Sequence, residues 1–386
     1  MSELQSLTAE IINTWAEDGQ DTVALVLKQR LLPVDGEGGI IFPPTYADIG
    51  YSIDTLSDGT KVAQIDSVPS QANRMEPLFK EPAYRHLVPQ IEFDLGKSKD
   101  DDTERTVSLL ELAHRAGDAV VRASGLAGEM DAAFKSILRK HDAGPLARLA
   151  PTSLLFGAWD SRGTQVKRPR IVRSFIRAED IEVLHGAAQY NSVWKLLDDE
   201  QKKALTDEAK KQKVKLSDKG FNDVPAVFRK TNEKVAKFKD GHPNDEARVL
   251  GGVIARGPIT RQITINLIAL HSVRGIDETE TGKLRRYLLG LALVAATADM
   301  ECYLREGCLL RFADLDDVWE AVPRRGDSQL FGLSSAAGRK VILDYAGAAA
   351  DAFGVGAGGR YEFNIKQAKA LLARQEEPDS DADAGN

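Results

Sequence analysis

Between Phe156 and Arg177 the chain reads FGAWDSRGTQVKRPRIVRSFIR. Six basic residues (Arg162, Lys167, Arg168, Arg170, Arg173 and Arg177) stand against one acid, Asp160. The chain carries a net charge of −7, so the sign reverses locally. A cluster of this kind needs no catalyst to be useful: it grips a polyanion through charge-assisted hydrogen bonds. In a strand over Ile171–Arg177, residues two apart share a face. Arg173, Phe175 and Arg177 then stand together, while Val172, Ser174 and Ile176 point the other way. Two guanidinium groups flanking an aromatic ring suit an anionic chain with stackable bases. The same pattern also describes a solvated edge strand whose arginines keep it soluble.

A second concentration of donors is SVPSQANRME at 67–76. There Ser70, Gln71, Asn73 and Arg74 gather hydroxyl, amide and guanidinium groups in what reads as a loop. Such a loop can take phosphate or base edges, or it can satisfy its own backbone. The link RGPITR at 256–261 adds Arg256 and Arg261 without an acid. Catalysis has less to work with. A general acid–base site wants a histidine within reach of a lysine or tyrosine, and His86, His114, His141, His185, His242 and His271 fall in no such spacing. Asp66 and Asp160 lie beside the donor-rich stretches and stay open as metal-free catalytic acids. The string GVGAGGR at 354–360 suits a phosphate by composition, but a dinucleotide loop needs a strand before it and a helix after it. Tyr361–Ile365 reads as extended, so a turn is expected instead. No metal pattern stands out: HPNDE at 242–246 reads as a turn.

These residues need a scaffold, and periodicity supplies one. Leu4, Leu7, Ile11, Ile12 and Trp15 predict a helix over 3–18. Thr22–Leu32 alternates, with Val23, Leu25, Leu27 and Leu31 on one face and Lys28 and Arg30 on the other. Residues 45–105 read as irregular, with short β-like pieces and a turn at Ser57-Asp58-Gly59. Leu109, Leu112, Ala113, Ala116 and Val120 predict a long helix, followed by a second through Met130, Phe134, Ile137 and Leu138. Ser153–Trp159 reads as a short strand, turned by Asp160–Gly163 into the basic strand as a hairpin with a basic tip. From 190 to 240, thirteen Lys or Arg face nine acids with few apolar residues between them. This predicts a solvated helical insertion. Val249–Ile254 and Ile263–His271 read as strands, Lys283–Asp299 as a helix and Cys302–Phe312 as a last strand. Gly338–Phe353 and Gln367–Arg374 read as helices, with a disordered tail beyond. Stripped of insertions, the order is strand, helix, strand, strand, helix, strand. That is an α+β fold of the ferredoxin-like type shared with RNA-recognition motifs: an antiparallel sheet with helices on one face and the other face free.

At 386 residues, 42% hydrophobic and 28% charged, the composition is that of a soluble globular protein. Five acids in the tail (Glu376, Glu377, Asp379, Asp381 and Asp383) account for most of the net −7 and leave the body near −2. Overall charge therefore does not exclude an anionic partner. Cys302 and Cys308 are too few for a disulfide scaffold and fit a reducing cytoplasm. The first residues lack a basic targeting segment, and the longest apolar run, Leu288–Ala298, is too short for a bilayer. No membrane partner and no cofactor are expected.

SVPSQANRME (67–76), SLLFGAWDSRGTQVKRPRIVRSFIRAED (153–180) and GGVIARGPITRQITINLIALHSVR (251–274) together resemble the GSU0053 (Csb-type) family. These are CRISPR-associated RAMP proteins, the repeated backbone subunits of type I-G (formerly I-U) Cascade. The likeness spans roughly residues 20–350. It implies a single body over 1–375: an RNA-recognition-motif palm from 20–45, 106–185 and 245–315, a finger or thumb insertion at 46–105 and a helical element at 190–242. The tail would be 376–386. It also implies a non-catalytic, cytoplasmic subunit that binds guide RNA (crRNA), forms a helical filament with copies of itself and presents bases for pairing with target DNA beside other Cascade subunits. On that resemblance Ser70, Gln71, Asn73 and Arg74 contact the guide, and Arg162, Lys167, Arg168, Arg170 and Arg173 line the same groove, with Arg256 and Arg261 nearby. The competing expectation is a RAMP endoribonuclease acting on precursor or target RNA.

Overall fold

A computed structural model of the chain describes residues 4–46, 49–98, 100–186, 193–216, 219–221 and 249–373. About half of the charged insertion at 190–242 and all of the tail at 376–386 lie outside the described residues. The described part of the insertion holds the helix Asp199–Lys211, opened by a reciprocal cap between Asp198 and Gln201.

Alternation builds the sheet. Strand β1 (Thr22–Pro33) buries Leu25, Leu27, Gln29 and Leu31 and exposes Lys28 and Arg30. Strand β3 (Val172–Glu179) buries Val172, Ser174, Ile176 and Ala178 and exposes Arg173 and Arg177. Strand β4 (Ile259–Asn266) buries Ile259, Arg261, Ile263 and Ile265. With β2 (Lys61–Asp66), β5 (Cys308–Phe312) and β6 (Trp319–Pro323) they form most of a nine-stranded sheet. Its central order is β5-β1-β4-β3-β2, and every pairing is antiparallel. The long β1 pairs with β5 through Leu31–Pro33 and with β6 through its first half.

One face of this sheet is roofed. Helix α4 (Glu278–Thr297) is apolar on nearly every side from Leu284 to Thr297 and is buried accordingly. It packs against α5 (Ala336–Phe353), where a Cβ at Gly290 would stand 2.9 Å from the Ala346 Cα. Glycine lets the two backbones meet there. Tyr287 stacks on Phe353 with centroids 5.0 Å apart. The helices α1 (Ala9–Ala16) and α3 (Ala127–Lys140) complete a large core that takes in Leu25, Leu27, Ile263 and Ile265. A smaller core at the other end of the same face gathers Leu31, Ile176, Ala178 and Ile259 under Ile41 and Val253.

Between the two cores the inward row is polar. Arg261 is buried, donating from Nε to Gln71 Oε1 at 3.1 Å and from Nη1 to Gln29 Oε1 at 3.0 Å. Ser174 Oγ donates to the same Gln71 oxygen, and Gln71 Nε2 donates to the buried Asp66 at 2.7 Å. Arg74 and Arg305 close on Asp66 at 3.0 and 3.1 Å. Burial drives the Arg261 guanidinium down to about 10, the cost of holding a cation in an apolar interior.

Several expectations need correcting. The stretch 67–76 is no loop: Ser67 caps helix α2 (Val68–Met75), with proline in its first turn. The region 45–105, read as irregular, contributes β2 to the central sheet and a separate pair, Gln90–Lys97 and Glu104–Ser108. The expected helix from Leu109 breaks into turns at Leu109–Glu111 and Arg115–Gly117, because Arg115 sits at φ 52°, a left-handed conformation. Of Ser153–Trp159 only Ala158–Trp159 is strand; Ser153–Leu155 ends the helix Pro151–Leu155, buried on all sides, whose apolar run carried no period to tell strand from helix. Strand β4 stops at Asn266, whose side chain caps a short helix, Leu267–His271. Helix α5 ends on Gly354 at φ 75°, and Gly358 opens the strand Gly358–Glu362, parallel to Gln90–Lys97. A Cβ at Gly358 would fall 2.2 Å from the Gln90 carbonyl oxygen, so the close strand approach accounts for glycine there.

Candidate nucleic-acid interface

The basic stretch folds as two units. Ala158–Trp159 pairs with Lys167–Arg168 in a small hairpin, with Trp159 opposite Lys167. The strand beyond it leaves this hairpin and enters the central sheet between β4 and β2 as β3. The tip is tied by its single acid. Asp160 accepts from the Thr164 N–H at 2.7 Å and the Thr164 hydroxyl at 2.9 Å, and its own N–H donates to the Val166 carbonyl. A Cβ at Gly163 would meet Asp160 Oδ2 at 2.5 Å, so the tie holds only around a glycine. Asp160, 5% exposed, is thereby occupied in holding the turn. The exposed Trp159 indole carries the Lys167 ammonium 5.5 Å from its ring centroid.

At the root of the hairpin the charges crowd. Arg170 lies close to Arg115: burial first, then that neighbouring guanidinium, push its own guanidinium below the ordinary arginine value. Burial does the same to Arg168. Arg115 is itself buried, bonded from Nε to Glu76 at 2.6 Å and from Nη2 to Asn73 Oδ1 at 3.3 Å. Asn73 is exposed, with its amide oxygen turned to Arg115. Among the described residues no acid pairs with Arg168 or Arg170. An outside anion would relieve the repulsion.

The face of the central sheet opposite the helices holds the rest. Pairing places Val26, Thr264 and Arg173 in one row, Lys28, Gln262 and Phe175 in the next, and Arg30, Thr260 and Arg177 in the third. These residues are exposed or half-buried. Arg173 and Arg177 lie 5.3 and 4.8 Å from the Phe175 centroid, the cation–π arrangement expected of alternating strand residues. Arg30 is held by Glu37 at 3.0 Å, whereas Lys28, Arg173 and Arg177 have no acid partner among the described residues.

The expected contacts therefore divide. Asn73, Arg168 and Arg170 come together at the hairpin root, with Lys167 and Arg162 further along the hairpin; Arg173 stands on the open sheet face. Ser70 is half-buried, its hydroxyl 3.0 Å from that of Ser67, and Arg74 is turned to Asp66 and the Leu304 carbonyl. Gln71 and Arg261 are corrections: both are buried in the polar layer between the cores and offer no surface. Arg256 is exposed but forms a two-pronged pair with Glu182 at 3.1 and 3.0 Å. Sequence reasoning passed over Lys28, Gln262 and Trp159. The alternation of β1 had shown that Lys28 faces away from the core; its neighbours are known only once the strands are paired. Asp66 is wholly committed to Gln71, Arg74 and Arg305. Among the described residues no three His, Cys, Asp or Glu side chains group as a metal site, and no helix is long and apolar enough to cross a membrane.

Comparison with known proteins adds one family. Residues 25–183, less than half of the chain, match the family described as CRISPR-associated protein GSU0053. That segment runs from within β1 through α2, the basic hairpin and β3 into the strand Ile181–Gly186. No curated protein matches the chain. Among solved structures, a chain of a "CRISPR RNA-guided surveillance complex, pre-nicking" aligns over 91% of this chain and 99% of its own, at 12% identity and a TM-score of 0.29. That likeness is too loose to bear on fold or role.

Proposed function

We propose that the chain is a non-catalytic guide-RNA-binding backbone subunit of a CRISPR surveillance complex of the Cascade kind. In this reading it lies along crRNA beside copies of itself and other subunits, in the cytoplasm, and leaves the guide bases to pair with target DNA. The observation that carries the reading is the run of cations without acid partners from the hairpin root, Arg168 and Arg170, to Arg173 on the open sheet. It lies inside the segment that matches the CRISPR-associated family. Phosphates are recognised by such a surface whatever the base order, which a subunit serving many guides requires. The order of the core strands supports a RAMP-type palm. Taking β1, β3, β4 and β5 as first to fourth in chain order, they lie fourth, first, third, second across the sheet, as in the split βαβ arrangement.

The test is the triple change Arg168→Ala, Arg170→Ala and Arg173→Ala in the full chain. Mobility-shift titrations with unrelated single-stranded RNAs at two salt concentrations should show a similar loss for every sequence, about 10- to 100-fold near 0.1 M salt. The log–log salt slope should become shallower by about 2 as three phosphate contacts vanish. Unchanged affinity and slope would remove this surface from the guide's path.

A further inference from the structure

We infer that Phe175 on the open sheet face is a stacking platform for one unpaired nucleobase, with Arg173 and Arg177 taking the phosphates on either side. The inference rests on the reading above that single-stranded RNA is the ligand, and it names a contact which that reading does not contain. Three observations converge on it. The ring sits in the middle row of a solvent-facing patch, with Gln262 and then Lys28 beside it across the strands. Adjacent strands lie about 4.8 Å apart, so the Gln262 amide stands beside the ring. Both arginines stand against the ring from the two sides along β3, at 4.8 and 5.3 Å from its centroid. And no acid among the described residues neutralises Arg173, Arg177 or Lys28, although Arg30, at the rim of the same patch, is paired with Glu37. An aromatic ring flanked by two cations without acid partners is complementary to a base between two phosphates.

Stacking uses the flat face of a base, which all four bases possess, so it adds affinity without choosing a sequence. It also leaves the pairing edge of a stacked base free. The platform is thus compatible with a subunit that must accept any guide, and it separates the work on this surface into a salt-dependent part (the cations) and a salt-independent part (the ring).

The test sets two probes against one position in the full chain: an unstructured single-stranded RNA and an abasic ribose-phosphate oligomer of equal length. Wild-type protein should bind the base-bearing strand more tightly. Phe175→Ala should lose about 5- to 150-fold on that strand, less than twofold on the abasic one, and keep the wild-type salt slope. Phe175→Leu, which preserves apolar contact with the arginine stems and guards against a folding defect, should lose on the base-bearing strand as well; Phe175→Trp should retain binding. Equal losses on both probes, or none on either, would overturn the platform while leaving the guide-binding reading intact. If wild-type protein bound neither probe, both would fall together.

Discussion

Two arginines of nearly the same sequence context have opposite fates. Arg256 and Arg261 flank one short turn, yet Arg256 is exposed and paired with Glu182, whose hydrogen bond raises its guanidinium, whereas Arg261 is buried and driven down to about 10. The consequence for stability differs in kind. Arg261→Met removes the donor that Gln29 and Gln71 share and leaves two buried amide oxygens with less than their complement. The expected loss is about 2–4 kcal/mol, read as a lower midpoint in urea at unchanged slope. Arg256→Ala breaks only a solvent-screened pair and should leave that midpoint where it was. An equal effect of the two changes would show that the polar layer is not what separates the cores.

The hairpin 158–168 shows what an element adds to its residues. Its cations would repel one another on a free strand; Asp160 gathers the turn and fixes the tip before any ligand arrives. Asp160→Ala removes the hairpin's one negative charge, so charge alone predicts tighter RNA binding. Preorganisation predicts otherwise, because the loop 160–166 loses both side-chain ties and must be ordered by the ligand. The expected result is faster amide exchange at Thr164 and Val166 with affinity no better than wild type. A clear gain in affinity would mean that the tip is used as charge and not as shape. Helix α2 teaches the reverse lesson: its donors look available in sequence, and the helix turns Gln71 inward and Asn73 outward simply by its period of 3.6 residues.

On the scale of the whole molecule, pH should reach the interface through the interior. Glu76, buried under the hairpin root, is pushed up to about 7, mainly by burial and against the pull of Arg115. Its folded value lies above its unfolded one, so the folded state binds the proton more readily between about 4.5 and 7. Stability attached to this group is therefore greatest at the acid end of that window and is lost as pH rises through 7. Measured as melting temperature from pH 5 to 8, wild type should lose ground relative to Glu76→Gln across the window. A parallel pair of profiles would show that the carboxyl stays ionised throughout.

How much of this was legible beforehand follows from what a linear pattern can encode. Period-two alternation announced β1, β3 and the outward set Arg173, Phe175 and Arg177, and the 3.6-residue period announced the helices at Ala127–Lys140 and Ala336–Phe353, because local sterics and burial dictate those periods residue by residue. The fully buried run at 151–155 had no period to read, and the left-handed Arg115 gave no local sign that a helix would fail. Nor could spacing tell that Gln71 and Arg261 meet across 190 positions, inside the protein and not on its surface. Sequence by itself determined the faces of β1 and β3 and the local reversal of charge. Only the tertiary structure decided which cations were left without acids and which rows they share, because strand pairing joins residues that no local periodicity relates.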